Sequence, residues 1–161
     1  MAEATPRYLP PQWTLPAIND HNEAFFTSGE LRLETCRACG SVQHPPIGVC
    51  IECGGLEHDY VATTPTGRID GFTIVHHAVH PLLAEKVPYN VVVVALDDHP
   101  DIRVVGNVID VAPNSRTEGR TGPESVSNGA RVRCTWTDPL PSPNGGPEVR
   151  LPQWILESEQ A

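Results

Sequence analysis

The sequence predicts a mainly β chain: an N-terminal helix, a four-cysteine zinc ribbon, then a five-stranded OB-fold barrel. Three observations carry this expectation. Cys36, Cys39, Cys50 and Cys53 follow a C-x2-C-x10-C-x2-C spacing. Five apolar-rich β segments follow between Gly67 and Leu156, with no strong helical pattern between them. One short helical pattern, Asn19 to Ser28, precedes the cysteines. The expected partition is tail and helix over 1–30, ribbon over 31–62 and barrel over 63–157.

The chain opens on an aromatic, proline-rich stretch, Tyr8 to Trp13, which cannot form a regular helix. Aromatics in an extended tail serve as interface anchors or fold back on their own domain. In the helix that follows, Asn19 or Asp20 supplies the N-cap, Glu23 supports the first turn and Gly29 the stop. Its apolar members, Ala24, Phe25 and Phe26 with Ile18 before them, are too few for a self-sufficient amphipathic helix. It must dock on this chain's own ribbon or on a second chain.

Leu31 to Cys36 alternates Leu31, Leu33 and Thr35 against Arg32, Glu34 and Cys36, a period-two strand pattern delivering Cys36 to the first knuckle. Ser41 to His44 is the returning strand, ended by Pro45 and Pro46, and Leu56 to Ala62 leads out. A two-residue gap lets both thiolates of a pair face one ion, and Gly40 and Gly54 permit the turn that aims N–H groups at sulfur. Four thiolates close a tetrahedral cage with no position for water or substrate, so the metal holds the fold and does no chemistry. Iron suits the same cage, which leaves a rubredoxin-like electron carrier open. Disulfides need an oxidising compartment. Met1 to Pro11 has no basic patch followed by an apolar run, so the expectation is a cytoplasmic protein without a secretory leader.

The barrel strands read as Gly67 to His80 with Gly71 at a bulge, Pro88 to Asp97, Ile102 to Val111, Ala130 to Thr137 and Val149 to Leu156. The run Val91 to Val94 suits a strand covered on both faces. Pro113 to Asn128 reads as a surface loop. Cys134, on an alternating strand, reads as a small buried hydrophobe.

The 161 residues carry a formal charge of −9 with only 11 Lys and Arg, and a pI near 5.1. Nucleic-acid affinity rests on Lys and Arg against phosphate, so that role is disfavoured. The longest apolar run, Val91 to Leu96, is far too short to span a membrane. His76, His77 and His80 read as strand-end histidines; on a regular strand the Cβ atoms of His76 and His80 stand roughly 13 Å apart, too far to share an ion. His44 and His58 flank the knuckles and suit hydrogen bonds to metal-bound sulfur or a surface position.

Taken together, these motifs resemble those of the zinc-ribbon/OB-fold proteins that accompany thiolase-like enzymes. The likeness rests on Phe25-Phe26-Thr27-Ser28-Gly29-Glu30-Leu31, Cys36-Arg37-Ala38-Cys39-Gly40, His44-Pro45-Pro46 and Cys50-Ile51-Glu52-Cys53-Gly54. It continues through Gly67 to Val75, Pro88-Tyr89, Gly106-Asn107-Val108 and Asn128 to Val132, covering about residues 20–156. The resemblance implies a non-catalytic subunit whose thiolase-like partner carries the catalytic residues, in a heterodimer or heterotetramer. It implies an acyl-CoA-handling complex, a retro-aldolase on steroid side-chain thioesters or an acetyl-CoA condensing enzyme. A free-standing OB-fold binding module is the remaining alternative. If CoA touches this chain, Arg103, Arg131 and Arg133 are the clustered basic residues to meet it. Catalytic residues are expected to be none.

Overall fold

A computed structural model describes residues 12–109 and 126–157. Its element order is α1 (Glu23–Thr27), β1 (Arg32–Cys36), β2 (Val42–Gln43), β3 (His58–Ala62), β4 (Thr66–Val75), β5 (Tyr89–Leu96), β6 (Arg103–Gly106), β7 (Arg131–Trp136) and β8 (Pro152–Leu156). The predicted tail residues Tyr8 to Pro11 and most of the Pro113 to Asn128 loop lie outside the described residues.

The ribbon is a three-stranded antiparallel sheet in the order β2-β1-β3. Its central strand departs from simple alternation, because both of its faces are used. Leu31 and Leu33 point into the shared core, whereas Glu34 and Cys36 are buried on the side of the knuckles. The helix is half its expected length. Asn19 Oδ1 accepts the N–H groups of His21 and Asn22, and the Asn19 carbonyl accepts from Asn22 and Glu23, so the chain makes a turn before it winds. The helix docks within its own chain. Phe25 is buried with Leu31 and Leu33 and meets Trp136 of the barrel edge-on at 5.6 Å.

The barrel sheet runs β6-β5-β4-β7-β8, antiparallel throughout. A register shift between Ile69 and Gly71 marks the bulge expected at Gly71. The two outer strands meet through a parallel bridge of Val108 with Trp154. Trp154 N donates to Asn107 O and Ile109 N to Trp154 O, both at 2.9 Å. Asn90 reinforces this closure: its side chain accepts from Val108 N at 2.8 Å and donates to Val108 O at 3.0 Å. This is the ring of an OB fold.

Two expectations need correction. β5 alternates instead of being covered on both faces: Val92, Val94 and Leu96 are buried, while Val91, Val93 and Ala95 are half-buried. β4 stops at Val75, so His76, His77 and His80 lie beyond the strand and are exposed. There His80 Nδ1 accepts from Leu82 N and caps a 3-10 turn, Pro81–Leu83.

Candidate metal centre and junction groove

The two knuckles are single turns closed by backbone. Gly40 N donates to Cys36 O and Gly54 N to Cys50 O, each at 2.9 Å. Both glycines sit at positive φ, 75° and 73°, where a side chain would be strained. The four sulfurs lie within 4.8 Å of one another, with Cys36–Cys53 and Cys39–Cys50 at 3.6 Å. A tetrahedral ion with bonds of about 2.3 Å to sulfur needs edges of about 3.8 Å, so the cluster is the right size for one such ion. Gly55 shapes the cradle, since a Cβ there would stand 3.1 Å from Cys36 Sγ. The N–H of Cys53, opposed by burial and helped by the N–H of Glu52, brings the Cys50 thiol down to about 6, which favours the ligating thiolate. The donor set fits zinc or iron and is closed.

Sequence reasoning missed Glu34, which is 1% exposed. One carboxylate oxygen, Oε2, accepts from Gln43 Nε2 at 2.6 Å and Ile47 N at 3.0 Å. The other, Oε1, accepts from Gly48 N at 2.9 Å and faces the Tyr60 hydroxyl at 3.2 Å. Gln43 extends the network by donating to Val49 O and accepting from Ile51 N. Burial alone would raise the Glu34 pKa. The N–H of Ile47, the Gln43 amide, the N–H of Gly48 and nearby His58 outweigh it and leave the pKa lowered. Burial and the Glu34 charge hold Tyr60 protonated, with its pKa raised to about 12. The fold therefore brings a carboxylate beside a histidine, with His58 Nδ1 3.8 Å from Glu34 Oε1. Both side chains are buried in the ribbon, away from any described groove. A signal was present in the sequence: an acid in a strand between a core leucine and a ligand cysteine.

Between ribbon, helix and barrel runs a groove of about 450 Å³, lined by Phe25, Phe26, His44, Pro45, Arg103 and Val105 among others. His44 packs its ring 4.8 Å from that of Phe25, and its Nδ1 is buried without a partner. His58 Nε2 is likewise unpartnered. Burial depresses the His44 pKa to about 4. The unfolded chain, near 6.5, then binds more protons than the folded one between those values, so this stability is present above pH 6.5 and lost as pH falls toward 4. At about 1.4 kcal/mol per unit the upper bound is about 3 kcal/mol. His44→Phe should flatten that acid limb in urea melts taken across pH 4–7; an unchanged slope would assign it to other groups.

Cys134 is buried, and burial pushes its thiol up to about 12, as a packing residue requires. The three nominated arginines fall on β6 and β7. Arg103 faces Ala95, which faces Arg68, which faces Arg131, so three arginines share one row across the sheet. Each nominated arginine meets an acid: Arg103 with Asp70 at 2.8 Å, Arg131 with Asp97 at 3.1 Å and Arg133 with Glu157 at 3.2 Å. Surface pairs of this kind add little stability. Among the described residues no helix is long and apolar enough to cross a membrane.

Comparison with known proteins agrees with this architecture. The family model for the rubredoxin-like zinc ribbon domain of ChsH2 matches residues 26–59, and that for the C-terminal OB-fold domain of ChsH2 matches residues 60–137. A solved structure described as an Ltp2-ChsH2(DUF35) aldolase superposes with a TM-score of 0.64 at 29% identity, covering 88% of this chain and 98% of that one. A protein of Thermomonospora curvata, named "Probable enoyl-CoA hydratase alpha subunit", is 34% identical over 153 residues. That match takes in 93% of this chain but spans only 41% of the relative's length.

Proposed function

The chain belongs to the ChsH2 family of zinc-ribbon/OB-fold proteins, and from that premise we propose that it is the non-catalytic subunit of a thiolase-like acyl-CoA lyase. The chemistry, retro-aldol cleavage of a steroid side-chain thioester, belongs to the partner. One observation carries the reading: the described residues combine a closed four-thiolate site with no nucleophile–base pair opening into a groove. Such a metal, which we assign as zinc, has no open position for chemistry. Ile47, Val49, Ile51 and Leu56 lie exposed around the second knuckle, and exposed apolar surface of this kind suits protein association. The acidic balance suits a protein partner better than direct capture of anionic CoA. Any contact with CoA falls to Arg103, Arg131 and Arg133, each exchanging a carboxylate for a phosphate. The complex is placed in the cytoplasm.

A second reading follows from the hydratase-named relative. There this chain corresponds to part of a longer protein, which supports an accessory unit serving an acyl-CoA hydratase. Co-expression of the tagged chain with a thiolase-like subunit, followed by native mass, separates the readings. A stable heteromer is expected; a monomer beside an unbound thiolase-like protein would overturn the first.

A further inference from the structure

One buried carboxylate pins both ends of the arch that separates the returning strand from the second knuckle. Glu34 Oε2 holds Gln43, the last residue of β2, and Ile47 N, four residues later. Between those two pins lie His44, Pro45 and Pro46, which form one wall of the junction groove. Glu34 Oε1 then takes Gly48 N, and Gln43 takes Ile51 N, so the hold reaches the residue after Cys50. The helix side is keyed to the same point. Tyr60 Oη, 3.2 Å from Glu34 Oε1, is 2.9 Å from the carbonyl of His21. The His21 ring covers Gly48 so closely that a Cβ there would stand 2.2 Å from Nδ1. Every hydrogen bond in this set comes from the protein alone and requires no ion.

We propose that Glu34 is the positioning residue of the four-cysteine site: its carboxylate sets the course of residues 43–51, prebuilding the Cys50 half of the cage and the Pro45–Pro46 wall of the groove. The ion then closes the knuckle tips onto a loop already in place. A carboxylate is required because the two oxygens face four donors. A glutamine would turn an N–H2 group toward two of them and leave buried donors unpaired.

Two arms test this on the full chain. In the first, hydrogen exchange is followed by NMR on wild-type protein stripped of metal with a chelator. The amides of Ile47, Gly48 and Ile51 should stay at least about tenfold slower than those of Gly40 and Gly54, which close the knuckle tips. Equal rates would show that the ion, not Glu34, organises the loop. In the second, Glu34→Gln is titrated with Co(II) against a chromophoric chelator. Outer residues that orient ligands change metal affinity by about 10–100-fold, and a weakening in that range is expected with the tetrahedral four-thiolate absorption retained. Affinity within about twofold of wild type would overturn the proposal. If the variant does not fold, the first arm still decides.

Discussion

Cys50→Ser is expected to abolish tight metal binding and to open the ribbon's tip while the barrel persists. Cys50 is buried and supplies one corner of a cage whose sulfurs are spaced for a single ion. A hydroxyl at this corner is a poorer ligand and cannot replace a thiolate in a four-sulfur site. Structural sites of this kind contribute about 10–16 kcal/mol in small peptides. Here the consequence stays at the ribbon's tip, because the core shared by helix, β1 and barrel, from Leu31 and Leu33 to Ile69, Val92, Val132 and Trp154, includes none of the four ligand cysteines. The exposed Leu56 leads out of the opened second knuckle, beyond the residues that Glu34 holds, so pairing with the proposed catalytic partner should fall as well. Elemental analysis with a pull-down checks both effects. Stoichiometric zinc in the variant, or undiminished pairing, would contradict the structural role.

Trp154→Ala is the second large effect, a loss of about 3–5 kcal/mol in unfolding free energy, as for other large buried aromatics. Trp154 has no exposed surface and bridges Val108 where the ring closes. Its Nε1 has no hydrogen-bond partner, so the loss comes from packing. Gly106 explains how the indole fits: a Cβ there would stand 2.8 Å from the ring. Gly106→Ala should therefore cost stability at the same contact. The two substitutions should be non-additive in urea denaturation, since both act on one interface. Full additivity would separate them.

The cysteine spacing and the five strands were legible because both are local patterns. A two-residue gap with a glycine behind it makes a knuckle wherever it stands, and alternation on β7 put Val132 and Cys134 inward as read. What escaped the sequence was set by distant partners. Glu34 looked solvent-facing by period two, but β1 is flanked by strands on both sides, and the donors that accommodate its charge lie 9 to 26 residues away. The helix was overlong because Asn19 caps a turn instead of the helix itself. Asn90 and Asn107 looked like ordinary strand polars until the ring closed over them.

The account stands or falls on where catalysis resides. The decisive measurement is cleavage of a steroid side-chain acyl-CoA thioester by this chain, by the thiolase-like subunit and by the two together. Turnover is expected only from the pair, with none from this chain alone at any metal loading. Turnover by the isolated chain would place the chemistry on these residues and contradict the accessory role.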